Sequence, residues 1–357
     1  MNHIKKDGIE QPQNAQPGAM LASYIGHELA QLDSQQQSQL ALVESCIFDM
    51  NKIPKVSFLL NVGKTYCVPE NNLIFFTGKP GKGKSSAMAI VAGVLMGYRE
   101  FGGIRAVRKV KRVLWVDTEQ NAPSYAKRLQ TLCDIAGFAP TRPLPEFGLL
   151  AIHLKKVPPL EGMTEAAARR VIIELAVSIW HPDLVVIDGI FDCVDDSERD
   201  TPGEVQAFWE RLLTEHNCTI MTAIHTNKQD DNLPYAIGTQ LMKKASDIFT
   251  CYRGENSPII EVKHTRARES DFAPTWEFRF ASDAAGNSII KGSTEWGRAL
   301  EAVRELYEQA ECYSFPELKK RLCERIGCKS DAHNIVNRMC DNNYLKRENN
   351  NIYRYLL

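Results

Sequence analysis

Apolar runs and amphipathic stretches alternate along most of this chain. From Val56 onward, short runs rich in β-branched and aromatic residues are separated by stretches whose apolar residues recur every three or four positions. This alternation predicts an α/β fold, a mostly parallel sheet with helices on both faces. The predicted strands are Val56 to Leu60, Leu73 to Thr77, Val113 to Val116, Leu149 to His153, Leu184 to Ile187, Thr219 to Ile224, Ile248 to Tyr252, Ile259 to Lys263 and Trp276 to Phe280. The predicted helices are Ser86 to Tyr98, Ser124 to Ala136, Glu165 to Ile179 and Val205 to Glu215.

The pattern changes towards the end of the chain. The last strands follow one another without helices between them, so the sheet should finish in antiparallel strands, with a turn at residues 285–287. After a linker at residues 291–294, three short helices and a β-hairpin resemble a small winged helix-turn-helix. The helices are predicted at Trp296 to Ala310, Phe315 to Ile326 and Ser330 to Asn342, and the last strand at Ile352 to Leu356. Such a unit contacts either DNA or protein.

Four regions follow from these patterns. Residues 1–19 are polar and form a predicted disordered lead-in, because they offer too few apolar side chains to bury. Residues 20–54 form a predicted N-terminal helical segment that packs on the same subunit or on a neighbouring one. Residues 55–290 are the predicted α/β domain, and residues 294–357 are the predicted winged helix-turn-helix domain.

Composition narrows the class of protein. The net charge of −1 excludes an overall attraction to nucleic acid or membrane, so any such binding needs a local patch. The 10 cysteines form no CxxC pair, which argues against structural zinc. The N-terminus has no apolar signal core, and no uncharged apolar stretch reaches the about 18 residues of a membrane span. We therefore expect a cytoplasmic protein that does not bind membranes.

The strongest local pattern is a phosphate-binding loop. GKPGKGKS follows an apolar strand and precedes a helix, which is the setting that this motif requires. Its glycines let backbone N–H groups turn towards a polyphosphate, Lys84 reaches the β and γ oxygens, and Ser85 ligates Mg²⁺. The residues expected to bind the nucleotide are Gly78, Lys79, Pro80, Gly81, Lys82, Gly83, Lys84, Ser85 and Ser86. Nucleotide binding is therefore predicted.

Two later strands end in carboxylates, at the edge of the sheet where ligands gather. The run VLWVDTEQ places Glu119 where it could deprotonate an attacking water, although Asp117 or Glu119 could instead cap the next helix. The run LVVIDG ends in Asp188, which with Ser85 would hold Mg²⁺. The acidic stretch from Asp192 onward is either metal-related or a solvated loop.

Two further features carry charge or a titratable group. His225 ends the strand that follows Asp188, within expected reach of a γ-phosphate, where it is either a phosphate sensor or a structural histidine. The basic run from Arg105 to Arg112 either touches DNA phosphates or forms a solvated connection.

These motifs together resemble RecA-like ATPases, in particular the RepA-like branch of hexameric DNA helicases and related ATPases of plasmids and mobile elements. The resemblance covers roughly residues 55–281 and rests on GKPGKGKS, VLWVDTEQ, LVVIDG and AIHTNK, with AIGTQL and KASD further on. It implies that Glu119 is the catalytic base and His225 the phosphate sensor. It also implies a cation supplied in trans by a neighbouring subunit, for which the segment VKHTRAR offers Lys263, Arg266 and Arg268.

The resemblance implies a Mg²⁺-dependent ATPase that assembles into a homo-oligomeric ring of about six subunits. Its expected partner is DNA, single-stranded at the core and duplex at the winged helix, in replication, mobilisation or repair. The sequence departs from its relatives at Ile237, where they carry a polar group. An ATP-dependent regulator that controls a partner protein without moving along DNA is the alternative.

Overall fold

The computed structural model describes residues 56–357 apart from short gaps, and isolated positions before residue 56. The gaps are 140–142, 158–159, 196–200, 227–241, 255–256, 258, 283–287, 293–294, 309, 327–331, 342–343 and 357, and the isolated positions are 39, 43, 46, 53 and 55. The chain divides into two compact units, Met1–Lys55 and Val56–Leu357. The predicted lead-in lies outside the described residues, as does nearly all of the predicted N-terminal helical segment.

The described part of the second unit contains strands and helices in alternation. The strands are β1 (Phe58–Val62), β2 (Thr65–Pro69), β3 (Leu73–Gly78), β4 (Glu100–Phe101), β5 (Ile104–Ala106), β6 (Val113–Asp117), β7 (Leu149–His153), β8 (Leu184–Asp188), β9 (Thr219–His225), β10 (Asp247–Tyr252), β11 (Ile259–Ala267), β12 (Trp276–Ser282), β13 (Ser288–Gly292), β14 (Cys312–Ser314), β15 (Leu345–Arg347) and β16 (Ile352–Tyr355). The helices are α1 (Lys84–Gly97), α2 (Ala122–Ala136), α3 (Glu165–Trp180), α4 (Pro202–His216), α5 (Glu295–Tyr307), α6 (Phe315–Ile326) and α7 (Ala332–Asp341), with short 3-10 turns at Leu144–Phe147, Ile190–Cys193 and Asn349–Asn351.

A nine-stranded sheet forms the centre, in the order β13-β12-β11-β10-β3-β9-β8-β6-β7. The six strands from β10 to β7 are parallel, and β11, β12 and β13 extend the sheet in antiparallel fashion. The prediction of a mostly parallel sheet that finishes in antiparallel strands is confirmed. The carboxyl ends of β3, β6, β8 and β9 consequently meet at one edge.

Both faces of the sheet are buried, which explains why its strands are continuously apolar. In β3, Ile74 and Phe76 pack into a core with α1 and α2, while Leu73 and Phe75 pack into a second core with α3 and α4. In β6, Trp115 belongs to the first core in the same way. The alternation of side chains along a strand thus divides each apolar run between two helical layers.

A smaller antiparallel sheet, in the order β2-β1-β5-β4, was only partly predicted. Its strand β1 is among the predicted strands, whereas β2, β4 and β5 are not. Strands β4 and β5, of two and three residues, are too short for a period of two to be recognised. The basic run begins in β5. Two of its arginines have protein partners: Arg108 pairs with Glu70 at 2.8 Å, and Arg112 lies over the ring of Trp180.

The C-terminal helices form a separate small core. Residues of α5, α6, α7 and the sheet β14-β16-β15 pack together around Val303, Leu318 and Val336. Tyr344 Oη donates a 2.7 Å hydrogen bond to Glu100 of β4, which ties this region to the rest of the unit. The prediction of a linker at residues 291–294 is wrong for its first two residues. Lys291 and Gly292 belong to β13, where they pair with Arg279 and Phe278 of β12, respectively.

The three predicted C-terminal helices and the last strand are observed with small shifts in their boundaries. The second helix has the predicted bounds, and Ser330, the first residue of the third predicted helix, lies outside the described residues. The turn expected at 285–287 also lies there, between the paired strands β12 and β13. Among the described residues, no helix combines the length and the apolar character needed to cross a membrane.

Candidate active site

The phosphate-binding loop connects β3 to α1. Gly83 precedes the helix with φ at 89°, and a Cβ there would lie 2.5 Å from Ile260 Cδ1, so this position requires glycine. The first turn of α1 has no acidic residue, and no side chain in the described part of the chain caps its N–H groups. These N–H groups and the positive end of the helix are thus available for an anion.

Lys84 is the buried cation of this loop. Its Nζ lies 2.8 Å from Gly78 O, 3.1 Å from Lys79 O and 2.9 Å from His225 Nδ1. Burial lowers the pKa of Lys84, while its interactions with Cys251, Glu119 and Asp188 oppose that shift. The ammonium is therefore held inside the site by three acceptors.

His225 and Glu119 extend this arrangement. Because an ammonium only donates, His225 accepts from Lys84 at Nδ1, and Nε2 carries the proton that faces Glu119 Oε2 at 3.3 Å. This hydrogen bond from His225 lowers the pKa of Glu119, so its carboxylate is ionised at neutral pH. A line of polar contacts thus joins the loop lysine to the predicted base.

Ser85 and Asp188 also lie together, as the sequence predicts for a magnesium pair. Ser85 Oγ donates a 3.0 Å hydrogen bond to Asp188 Oδ1, and the Gln120 side-chain amide bonds Oδ2. Burial raises the pKa of Asp188, and the bond from Ser85 acts against that shift. A hydroxyl and a carboxylate are oxygen ligands of the kind that Mg²⁺ prefers, so these two residues fit the ion.

A second carboxylate, Asp117, lies beside Asp188 and was considered only as a helix cap. It is fully buried, it accepts from Gln120 N at 2.7 Å, and its Oδ2 has no hydrogen-bond partner among the described residues. Burial raises the pKa of Asp117 to about 6, and the negative charges of Asp188 and Glu119 add to the effect. Two carboxylates thus lie side by side at the ends of adjacent strands.

Arg128 of α2 is a site residue that the sequence analysis missed. It lines a cavity of about 330 Å³ together with Lys84, Ser85, Asp188 and His225. Burial lowers the pKa of Arg128, while Asp188 and Asp117 favour its charge. The signal in the sequence is its place on the helix, three residues after Tyr125 and four before Leu132, both of which are buried.

Two more residues that the sequence analysis missed line this cavity. Phe280 and Arg253 line it, with the guanidinium 5.8 Å from the centre of the phenyl ring. A flat apolar ring beside a cation can stack against a nucleobase. Arg253 follows β10 and accepts a 2.6 Å hydrogen bond from Lys82 Nζ of the phosphate loop at its carbonyl, and Phe280 lies in the antiparallel strand β12.

The three cations predicted to act in trans, Lys263, Arg266 and Arg268, have partners within their own chain. Arg266 and Arg268 donate to the backbone oxygens of Met242 and Lys243, respectively. Lys263 pairs with Glu261 at 3.2 Å and lies over the ring of Tyr252. Among the described residues that line the Lys84 cavity, none of the three occurs, although Arg266 lines a neighbouring cavity of about 680 Å³.

Comparison with known proteins gives a family. The model of the AAA_25 family, described as an AAA domain, matches residues 40–231, which is more than half of the chain and includes every carboxylate of the site. The chain belongs to this family. The phosphate loop and the mostly parallel sheet are those of a P-loop ATPase domain. No curated protein matches the sequence significantly.

Three solved structures are distantly similar. The flagellar accessory protein FlaH from Methanocaldococcus jannaschii is 16% identical, with a TM-score of 0.43 over 62% of this chain and 90% of its own. The KaiC-like protein PH0186 from Pyrococcus horikoshii OT3 is 15% identical, with a TM-score of 0.44 over 66% of this chain and 99% of its own. A third structure, described as an ATPase domain, is 13% identical, with a TM-score of 0.43 over 72% of this chain and 99% of its own.

The raised pKa of Asp117 predicts a specific pH dependence of stability. The folded state binds the Asp117 proton more tightly than the unfolded state, so between roughly pH 4 and pH 6 stability falls as pH rises, and it stays lower above that window. We expect Asp117→Asn, which keeps the bond from Gln120, to raise the free energy of unfolding by about 3 kcal/mol near pH 8 in metal-free buffer.

Urea denaturation at several pH values checks this expectation. The gain in the free energy of unfolding from Asp117→Asn should shrink towards zero near pH 4, where both folded proteins carry a neutral group at this position. The exposed Asp271→Asn is the control and should change little at any pH. An Asp117→Asn variant less stable than the parent protein at pH 8 would contradict the raised pKa.

Proposed function

We propose that this protein is a Mg²⁺-dependent ATPase of the RepA-like branch that acts on DNA. The observation that carries the proposal is one cavity at the carboxyl edge of the sheet, lined by Lys84, Ser85, Asp188 and His225, with Glu119 bonded to His225 beside it. Each group has the chemistry that one part of γ-phosphoryl transfer to water needs.

Hydrolysis would proceed by in-line attack. Glu119, ionised through its bond with His225, takes a proton from a water whose oxygen bonds to the γ-phosphorus. The bond between that phosphorus and the β–γ bridging oxygen breaks, so ADP and inorganic phosphate leave. Lys84 and Arg128 supply positive charge to the phosphate oxygens during this step.

Ser85 Oγ and Asp188 would hold Mg²⁺, with Gln120 fixing the orientation of the carboxylate. When bound, the ion neutralises the β- and γ-phosphate oxygens and fixes their positions. Phe280 and Arg253 would receive the base of the nucleotide.

His225 would report the γ-phosphate. In the structure it shares the Lys84 ammonium with two backbone carbonyls. An arriving phosphate competes for that ammonium, so His225 loses a partner when ATP binds and regains it when the phosphate leaves. Thr226 and the segment after it follow His225 directly, which gives the nucleotide state a route to the rest of the molecule.

The DNA part of the proposal has two supports. The 680 Å³ cavity beside the loop contains a row of hydroxyls, with Thr250 Oγ1 at 2.9 Å from Thr77 and 2.8 Å from Thr265. Lys79 and Arg253 border it, so its walls offer donors and positive charge for the phosphates of a single strand.

At the C-terminus, the winged helix-turn-helix interpretation is supported by three helices around a small sheet. The side chains of His333 and Asn337 on α7 are exposed, as are Lys346 and Arg347 on β15. A polar helix face next to a basic strand suits the groove and the backbone of duplex DNA, respectively.

The function is tested by ATP hydrolysis with and without single-stranded DNA. We expect DNA to accelerate ATP hydrolysis by the wild-type protein, whereas a regulator that does not bind DNA would hydrolyse ATP at the same rate in its presence.

Lys84→Ala should abolish hydrolysis and weaken ATP binding, because it removes the buried loop cation.

Glu119→Gln should separate binding from chemistry. It retains the shape of the side chain but cannot accept the proton of water, so turnover should fall at least ~100-fold while ATP still binds. Equilibrium binding and single-turnover hydrolysis measure the two effects. Near wild-type turnover would remove Glu119 from the role of base.

A ring would complete its site across the subunit boundary through Arg266 or Arg268. Replacement of the responsible arginine by Ala should leave ATP binding intact and lower turnover ~10³-fold or more. Lys263→Ala, whose cation already pairs with Glu261, is the comparison and should have a smaller effect.

Mixing experiments identify the trans residue. Inactive Arg266→Ala or Arg268→Ala mixed with inactive Lys84→Ala should regain activity, because some interfaces then combine an intact loop with an intact arginine. Arg128→Ala mixed with Lys84→Ala should stay inactive, since both residues belong to one subunit's cavity. If no mixture recovers although subunits exchange, the shared site is rejected.

Removal of residues 294–357 should leave a folded ATPase, because the C-terminal helices have their own core and β13 ends at Gly292. Affinity for duplex DNA, measured at matched salt, should fall. Lys346→Glu should weaken it in the full chain, while Lys64→Glu, an equally exposed change in the small sheet, should not. Unchanged duplex affinity after truncation would assign the C-terminal region to protein contacts.

A further inference from the structure

Thr118 directly follows β6, between the carboxylates Asp117 and Glu119. It is buried, and its N–H donates a 3.0 Å hydrogen bond to Asp188 O at the end of β8. Its hydroxyl, which has one proton to donate, lies 2.8 Å from the charged acceptor Asp192 Oδ2, 2.8 Å from Gly189 O and 3.1 Å from Asp188 O. The residue next to the proposed base is therefore tied to the neighbouring strand through both its backbone and its side chain.

Gly189 fills the remaining space beside the base. Its φ is 104°, and a Cβ there would lie 2.2 Å from Thr118 Oγ1 and 2.7 Å from Glu119 Cγ. The bare backbone of Gly189 thus packs directly against the Glu119 side chain, while His225 bonds the carboxylate at its end. Glu119 is confined from the side of β8 and from the side of β9.

Arg169 of α3 in turn holds Asp192 in place. Its carbonyl accepts a 2.8 Å hydrogen bond from Arg169 Nη1 of α3, and Arg169 Nε donates to Leu154 O at 3.1 Å. Arg169 is buried, so these bonds are shielded from water. The guanidinium joins the segment after β7 to the segment after β8, and through Asp192 it supports Thr118.

We propose that Thr118 and Asp192 are positioning residues for Glu119. The hydrogen bond from the Thr118 hydroxyl to the Asp192 carboxylate fixes the end of β6 against Gly189, and so holds the proposed base at the distance that the attacking water requires. The inference rests on the proposed ATPase function. None of Thr118, Asp192 and Glu119 is among the described residues that line the nucleotide cavity, so we expect loss of the bond to act through Glu119 on the rate of the chemical step and to change the affinity for ATP little.

The test compares variants that remove the hydroxyl with variants that keep it. Thr118→Val preserves shape and loses the bond, and we expect kcat to fall roughly 10- to 100-fold, since a displacement of about 1 Å can cost 10²-fold. The dissociation constant of Mg²⁺-ATP should change less than about threefold. Thr118→Ser keeps the hydroxyl and should restore most of the activity.

Asp192→Ala removes the acceptor of the same hydrogen bond, a half-buried carboxylate, and should lower kcat as Thr118→Val does. Asp192→Asn keeps an acceptor oxygen and should retain activity. The double variant Thr118→Val, Asp192→Ala should be no slower than either single variant, because both lose one interaction. Additive losses would overturn the proposal.

A further experiment, in the Glu119→Gln protein, separates a positioning role of Thr118 from a general effect on the structure. In Glu119→Gln, where the base is already absent, Thr118→Val should not slow turnover further. An additional loss of the same size there, or a weakened affinity for ATP equal to the loss in kcat, would assign Thr118 to folding alone. If wild-type protein does not hydrolyse ATP, the proposed function fails; if it does and Thr118→Val matches it, only the positioning inference fails.

Discussion

Two carboxylates are buried side by side at the carboxyl edge of adjacent strands, and the organisation of the site depends on this pair. Asp117 and Asp188 are register partners between β6 and β8, and neither is exposed to more than 1%. Burial raises both pKa values, and proximity adds repulsion. Hydrogen bonds from Gln120 and the charge of Arg128 offset part of that cost, and a divalent cation would offset more. The fold thus concentrates negative charge where a metal nucleotide would be bound.

Much of this could be predicted from the sequence, because the signals are local. The runs at β3, β6 and β8 are continuously apolar, since both faces of a parallel sheet are covered by helices, and each ends in a polar motif of known chemistry. The strand order then brings those ends together without further information. Local pattern and sheet topology are sufficient to assemble Lys84, Ser85 and Asp188.

The remainder depends on tertiary contacts that have no local signature. The helical spacing places Arg128 on the same face as the buried Tyr125 and Leu132, but only the docking of α2 on the sheet brings its charge near Asp188. Thr118 resembles one more strand residue, and only the register between β6 and β8 aligns its hydroxyl with the turn after Asp188. Arg266 and Arg268 resemble free cations, yet backbone carbonyls of the chain itself bind them. Strands β4 and β5 exist because they pair with each other and with β1.

The bonding of Lys84 has a consequence for energetics. Its ammonium already donates hydrogen bonds to Gly78 O, Lys79 O and His225 Nδ1. A phosphate would therefore compete with three acceptors for this charge. A phosphate that binds there would exchange one set of hydrogen bonds for another, so its affinity would be the difference between the two sets. The two carbonyls and His225 would recover the ammonium as the phosphate leaves. Lys84 would thus alternate between two bonded states, and in neither would its buried charge be left without an acceptor.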